Sequence, residues 1–255
     1  MKVAYLFLFL FHCLFFAGCT SVSNEHNEVA DLHSQIAIGH IQKENYPLAL
    51  KELLIAQEIN PRDAAVQSNL GHVYFMRQRL DLAEDHYKRA IILQPTFTDA
   101  KNNLARVYIE GSQYRQAENL LKEVLTDLTY VDFPRAYANY GILEFNRKNF
   151  KRALSYFKKS LENDRENCIT QVYVGRTYLE LKENMLAVSQ LEKAVGFCVP
   201  FDIEDAHYYS AIALFRNGQK DRSIFRFEEL LKLYPNSKFV DRSQKMLEVL
   251  KKGAL

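Results

Sequence analysis

Small and apolar residues recur at helical spacing between Gln67 and Pro95, and they predict a pair of short helices. Two sets of residues each occupy one helix face: Gln67, Leu70, Gly71 and Tyr74 in the first helix, and Ala83, Tyr87 and Ala90 in the second. Because Gly71 and Ala83 are small, two antiparallel helices can approach closely, and Pro95 ends the second one. A single hairpin cannot bury its own apolar face, so we expect similar hairpins on both sides.

The same pattern returns along most of the chain. The small residue that opens each second helix falls at Ala49, Ala83, Ala117, Ala153, Ala187 and Ser223, at spacings of 34, 34, 36, 34 and 36 residues. This pattern resembles the tetratricopeptide repeat, a helix–turn–helix unit of about 34 residues. We therefore predict six repeats over residues 30–235, with approximate bounds 30–63, 64–97, 98–131, 134–167, 168–201 and 204–235.

Residues 236–255 predict a capping helix, which starts at Asn236 and Ser237 and runs to about Lys251. Its apolar side would cover the final repeat, as the end of a repeat array requires. The predicted fold class is therefore all-α: a right-handed α-solenoid of six tetratricopeptide repeats with a C-terminal capping helix. The 255 residues are 48% hydrophobic, enough for one continuous core, so we expect a single domain. An irregular helical bundle is the alternative.

Composition and motifs exclude several classes of function. The 33 basic and 31 acidic residues leave a net charge of +2 without a basic stripe, so we expect no nucleic-acid partner. The motifs of zinc proteases, dinucleotide-binding folds, P-loops and serine hydrolases are missing from the sequence. We therefore expect no catalytic residue, no cofactor and no small-molecule substrate. His33 and His40 share a helix face, but no third ligand lies at a useful spacing, which favours packing histidines over a metal site.

The N-terminus has the layout of an export signal. Residues 1–18 place one lysine before an apolar run that ends in small residues. Phe16-Ala17-Gly18-Cys19 resembles the lipobox of bacterial lipoproteins, and that resemblance implies cleavage before Cys19 and a diacylglycerol on its thiol. Residues 19–29 would then be a lipidated tether. Thr20 follows the cysteine, where aspartate resembles an inner-membrane retention signal, so an outer-membrane location on the periplasmic face is expected; an uncleaved anchor is the alternative.

Export also bears on the cysteines that remain, Cys168 and Cys198. They lie at the open end of the fifth predicted hairpin, where antiparallel helices bring their ends side by side. An oxidising compartment favours a disulfide between them. Two separate buried thiols are the alternative.

First helices line the concave face of tetratricopeptide domains, and the inward positions here form an apolar strip with a few cations. Such a strip favours a protein partner, as an extended segment or an amphipathic helix. The predicted partner-binding residues are Phe75, Ile109, Ile142, Phe145, Arg176, Leu179, Tyr208 and Phe215. Some strip residues are expected to pack between neighbouring repeats instead, and a convex binding face stays open.

Six repeats behind a lipobox resemble the type IV pilus biogenesis lipoproteins, the pilotins that assist secretin assembly. Arg135 to Phe145, RAYANYGILEF, resembles their fourth repeat, and the cysteine pair in the next repeat is similar to theirs. The resemblance implies a lipoprotein that binds a secretin subunit and carries it to the outer membrane. Leu233 to Phe239, LYPNSKF, instead resembles a helix junction of outer-membrane barrel-assembly lipoproteins. A scaffold of that complex is the second hypothesis, and an adaptor for cell-wall enzymes is the third.

Overall fold

The structure is a computed structural model that describes residues 27–198 and 204–252, and all regular structure in these ranges is α-helical. The helices are α1 (27–42), α2 (Tyr46–Ile59), α3 (Ala64–Met76), α4 (Leu80–Leu93), α5 (Thr98–Glu110), α6 (Tyr114–Thr126), α7 (Phe133–Asn146), α8 (Phe150–Asn163), α9 (Cys168–Glu180), α10 (Asn184–Cys198), α11 (Glu204–Arg216), α12 (Lys220–Leu233) and α13 (Val240–Lys252). Over the stretches just defined, no helix is both long and apolar enough to cross a bilayer. The all-α prediction is confirmed.

The predicted signal peptide and the predicted lipidation site at Cys19 lie outside the described residues. The predicted tether is wrong at its end, because residues 27–29 belong to α1. Ala30 is fully buried at the start of the core, and a helix needs a preceding turn to hold such a residue in place. The first repeat therefore begins earlier than its sequence pattern indicates.

The chain divides into two compact units, one up to Leu120 and the other from Leu121. In the first, α3 packs against α2, α4 and α5; in the second, each helix from α7 to α12 packs against the next, and α13 packs against α12. We expected a single domain with one continuous core. The division falls inside α6 and not between two hairpins. In a repeat array each hairpin contacts only its neighbours, so contacts cluster locally along the chain.

The same type of turn closes each of the six hairpins. In the fourth hairpin the amide of Lys148 donates to the carbonyl of Phe145 at 2.9 Å, and the amide of Asn149 donates to that of Glu144 at 2.8 Å. This bond pair defines a Schellman turn, which satisfies the last carbonyls of the first helix. The turn holds one residue at positive φ, and the six are Glu44, Gln78, Ser112, Lys148, Lys182 and Gly218. Only the sixth hairpin uses glycine, the residue that adopts this backbone without a steric cost.

Small residues set the distance between the paired helices, as predicted. A Cβ added to Gly71 would lie 2.9 Å from the ring of Tyr87, and a Cβ on Gly175 would meet three side-chain carbons of Leu191 within 3.0 Å. The six residues that open the second helices are all fully buried, namely Ala49, Ala83, Ala117, Ala153, Ala187 and Ser223. Ser223 also donates its hydroxyl to the carbonyl of Ala211 at 2.9 Å, so its polar atom is satisfied in the core.

A partly exposed ionic cluster connects α10, α11 and α12. Glu192 accepts hydrogen bonds from Arg222 at 2.8 Å and from Arg226 at 2.9 Å. His207 lies beside this cluster, with its Nδ1 atom 3.4 Å from a carboxylate oxygen of Glu229. Burial lowers the pKa of His207 below its ordinary 6.5, and the charge of Arg226 acts in the same direction, while the charge of Glu229 opposes both. His207 is therefore held as a neutral imidazole at neutral pH.

The capping helix begins later than the sequence pattern indicates. Helix α13 starts at Val240, so the prediction that Asn236 and Ser237 cap it directly is wrong. Ser237 instead accepts a hydrogen bond from the amide of Phe239 at 3.0 Å, which folds the segment into a turn before the helix. The turn buries Phe239, and Leu250 of α13 is buried with it. The predicted apolar side of α13 thus covers the sixth hairpin, although its first turn is not helical.

Candidate functional site

A groove of about 330 Å³ opens on the C-terminal unit. Its lining comes from the first helices of three successive hairpins, from the turn after α7 and from the start of α8: Phe145, Asn146, Lys148, Phe150, Arg176, Leu179, Glu180, Tyr209, Ile212 and Arg216. These first helices present residues at spacings of three and four, which is how one face of a helix is formed. We refer to this set of residues as the groove.

Arg176 lies among three aromatic rings. Its guanidinium carbon is 4.5 Å from the ring centre of Tyr209, 4.6 Å from that of Tyr173 and 5.0 Å from that of Phe145. Ring faces attract a cation through their quadrupole and leave its in-plane N–H groups free to donate. Phe145 is itself held edge-on by Phe150 and Tyr173, each at 5.5 Å between ring centres. The rings therefore fix the position of the charge without neutralising it.

The groove carries an excess of positive charge. Lys148, Arg176 and Arg216 face one carboxylate, Glu180. None of the three cations forms an ion pair with a residue in the described ranges, although Arg216 donates to the carbonyl of Leu179 at 3.2 Å. Burial raises the pKa of the Tyr209 hydroxyl, and Arg176 partly opposes that shift, so Tyr209 is a neutral donor at neutral pH. The groove therefore offers three uncompensated cations and several neutral donors to a ligand.

The groove also has an apolar component. Leu179 and Ile212 come from α9 and α11, and Phe145 and Phe150 come from either side of the turn at Lys148. An apolar surface next to cations suits a ligand that combines apolar side chains with an anionic group. In the part of the chain that the structure describes, no group of three histidine, cysteine or carboxylate side chains is placed to hold a metal ion. His33 instead places its Nδ1 atom 2.7 Å from Glu52.

Phe145, Arg176 and Leu179 line this groove, but Leu179 is only 3% exposed, so Phe145 and Arg176 are the predicted residues that a partner can reach there. Phe75 lies on α3 in the N-terminal unit, where it is partly buried. The predictions for Ile109 and Ile142 are wrong, because each is only 1% exposed and so cannot contact a partner. Both are taken up by packing between helices, which the sequence analysis expected for some members of the strip.

Tyr208 and Phe215, both on α11, are not among the residues that line the groove, and their role stays a prediction. Tyr208 stacks on Phe239 with ring centres 4.1 Å apart, and Phe215 packs against the core cluster that includes Phe227 of α12. The face of α11 that reaches the groove is therefore rotated by about one residue. It carries Tyr209, Ile212 and Arg216. The spacing of three and four residues along this face was the available signal.

Three further groove residues, Asn146, Lys148 and Phe150, were not predicted from the sequence. Asn146 ends α7, Lys148 lies in the turn and Phe150 begins α8, so two of the three lie outside the first helices. Cys168 and Cys198 form a disulfide in the structure, with their Cα atoms 5.4 Å apart. The bond joins the start of α9 to the end of α10, so it closes the hairpin that carries Arg176.

Comparison with known proteins places the chain among the repeat proteins. Sequence models described as tetratricopeptide repeat match residues 64–97, 102–167 and 205–237, which together make up just over half of the chain. The type IV pilus assembly protein PilF of Pseudomonas aeruginosa is 28% identical over 139 residues, which are 54% of this chain and 55% of PilF. The human protein O-mannosyl-transferase TMTC3 is 28% identical over 163 residues, 57% of this chain but 18% of that protein. The chain thus spans about half, or much less, of the curated relatives it matches.

Solved structures agree on the fold. A structure of Pseudomonas aeruginosa PilF superposes with a TM-score of 0.68 at 22% identity and covers 87% of this chain and 99% of PilF. PilW, whose structure is described as that of a widely conserved type IV pilus biogenesis factor, gives a TM-score of 0.71 at 17% identity, over 87% of this chain and 98% of PilW. At these identities the superpositions bear on architecture alone. With its helical hairpins, their shared turn and the matched models, the chain belongs to the tetratricopeptide repeat family.

Proposed function

We propose that this protein is an outer-membrane lipoprotein that binds a secretin subunit through its repeats and assists secretin assembly in type IV pilus biogenesis. The observation that carries this proposal is the similarity to the type IV pilus assembly protein PilF, which extends over 139 residues at 28% identity. PilF and PilW also share the repeat architecture over most of their lengths. A pilus biogenesis partner is thus favoured over the barrel-assembly and cell-wall hypotheses.

The mechanism separates capture from delivery. An unassembled outer-membrane protein exposes apolar segments to water, and the groove provides apolar side chains at Phe145, Phe150 and Ile212 for such a segment. Preformed helices lose little conformational entropy on binding, so most of the contact free energy goes to affinity. A lipid on Cys19 would supply delivery, since each buried CH₂ group contributes about 0.8 kcal/mol to membrane attachment.

The test of capture uses one substitution at two positions. Phe145→Glu places a carboxylate inside the groove, next to Arg176, where it would pair with the cation and repel an apolar segment. Phe225→Glu makes the same change on α12, at a side chain that is 63% exposed and outside the groove. We expect Phe145→Glu to abolish co-purification of the pilus secretin with the tagged full chain and Phe225→Glu to leave it unchanged. Normal capture by Phe145→Glu with loss in Phe225→Glu would overturn the groove mechanism.

The test of delivery is Cys19→Ser followed by membrane fractionation. We expect the variant to keep secretin capture but to leave the outer-membrane fraction, and the secretin to accumulate in the inner membrane. A variant that still sediments with the outer membrane at the normal amount would show that no lipid at Cys19 holds the protein there. If full-length protein captures a barrel-assembly protein and no secretin, the choice of partner in this proposal is wrong.

A further inference from the structure

The groove contains a cation, Arg176, that is held by aromatic rings and has no ion-pair partner among the described residues. The guanidinium of Arg176 lies over the rings of Tyr209, Tyr173 and Phe145, at 4.5, 4.6 and 5.0 Å from their centres. Guanidinium donors lie in the plane of the group, and rings stacked on its faces leave that plane open. A carboxylate is the group that matches this donor fork with two parallel hydrogen bonds.

The surrounding charges reinforce the same preference. Lys148 lies at one end of the groove and Arg216 at the other, and Glu180 is the only acidic residue in the lining. Arg216 is held in place by its bond to the carbonyl of Leu179, so its charge stays at the rim. An anionic group that enters the groove thus meets three cations against one carboxylate, whereas a cationic group is repelled.

Apolar residues limit what can carry the anion. Phe145, Phe150 and Ile212 line the same groove as Arg176, and an ion without apolar surface would leave them in contact with water. We propose that the groove binds a peptide segment of its protein partner in which a glutamate or aspartate, flanked by apolar side chains, pairs with Arg176. This inference rests on the proposed function, that the repeats bind a protein segment, and it adds the chemistry by which the segment is recognised.

The test uses defined peptides and the full chain purified in detergent. The probe is a panel of fluorescein-labelled dodecapeptides with a central glutamate, flanking leucine or phenylalanine, and neutral residues elsewhere. Each peptide has a partner with glutamine in place of the glutamate. We expect the glutamate peptides to bind at least about tenfold more tightly, as measured by fluorescence polarisation, because a charge-assisted pair is lost in the glutamine series. The difference should shrink as salt is raised.

Matched variants show whether Arg176 causes the preference for glutamate peptides. Arg176→Met should remove the preference for glutamate, and Arg176→Lys, which keeps the charge but not the fork, should retain part of it. Arg242→Gln, a control on α13 outside the groove, removes an exposed arginine from the same unit and should leave the preference intact. Circular dichroism confirms that each variant is folded. If Arg176→Met unfolds the unit, Arg216→Gln serves instead and should reduce the preference about two- to threefold.

The outcomes separate this inference from the proposed function. Equal binding of the glutamate and glutamine peptides, or a preference that survives Arg176→Met, overturns the inference even if secretin is captured. A preference that depends on Arg176 in a protein that captures no secretin supports the inference and overturns the choice of partner. If purified full chain self-associates and Arg176→Met makes it monomeric, the occupant is a second copy of this chain, and the inference of a partner segment is wrong.

Discussion

Gly175 on α9 allows a stability prediction that comes directly from the spacing of two helices. Gly175→Ala adds one methyl group, which would meet three carbons of Leu191 within 3.0 Å, whereas ordinary contact begins at 3.4 Å. Leu191 is fully buried, so its side chain must shift within the core or α9 and α10 must separate. Overpacking of this kind costs about 1–3 kcal/mol. Replacing glycine by alanine in a helix returns about 1 kcal/mol. The difference leaves an expected net loss of up to about 2 kcal/mol.

A control comes from the same hairpin. Gly196 lies on α10, and a Cβ at that position would meet nothing within 4 Å. Gly196→Ala should therefore stabilise the protein by about 0.5–1 kcal/mol, because only the conformational entropy of the unfolded chain changes. The same chemical change is expected to have opposite signs at two positions about twenty residues apart in sequence.

Urea unfolding followed by circular dichroism measures both variants, and hydrogen exchange of the α9 and α10 amides shows whether the effect is local. A third variant closes the cycle: Leu191→Ala alone should cost about 2–5 kcal/mol, and clearly less in the Gly175→Ala background, where the new methyl fills part of the space. If Gly175→Ala stabilises as much as Gly196→Ala, close packing does not explain the glycine.

Three more predictions concern the turns, the polar cluster and the disulfide. Lys182→Gly should raise the free energy of unfolding by about 0.5–1 kcal/mol, because Lys182 holds φ at 62°, whereas Gly218→Ala should lower it; equal effects in a thermal scan would contradict this. Because the folded pKa of His207 lies below its unfolded value of 6.5, the folded state binds fewer protons between the two, so stability should fall as pH drops below 6.5. His207→Gln should flatten that part of the profile in urea titrations, and an unchanged slope would refute the assignment. Replacing Cys168 and Cys198 by serine should cost about 3–4 kcal/mol and remove any effect of dithiothreitol on unfolding, so a reductant effect that persists would locate the relevant disulfide elsewhere.

The repeat pattern was predictable because each hairpin repeats the same local requirement. A small residue is needed wherever two helices touch, and Ala83 and Ala153 are fully buried at the positions that the spacing indicates. The inner face of α11 was not predictable in this way. Phe239, about thirty residues after Tyr208 in sequence, stacks on that tyrosine and removes it from the groove. A periodic pattern along one helix does not indicate which neighbouring element packs against each of its faces.

The same limit applies to the groove itself. Arg176 and Phe145 could be chosen from sequence because they recur at the inward position of successive first helices. Their mutual contact at 5.0 Å, and the contribution of Tyr209 from a third hairpin, depend on how adjacent repeats pack. Lys148 could not be chosen, since it lies in a turn whose conformation follows from backbone hydrogen bonds and not from a hydrophobic pattern.

The shared Schellman turn has a consequence for where this chain can change in length. Every hairpin is closed by the same backbone bonds, so an insertion inside a hairpin would break them. The spacing of 36 residues between Ala117 and Ala153 is accommodated after α6, in the connection at residues 127–132. Leu128 and Val131 there are 92% and 91% exposed, whereas Tyr130 between them is only 6% exposed, so a change at Leu128 or Val131 would break fewer contacts than one at Tyr130. Doubling a flexible loop costs only about 0.6 kcal/mol, which makes this connection a suitable place for an epitope tag or a crosslinking residue that leaves the groove intact.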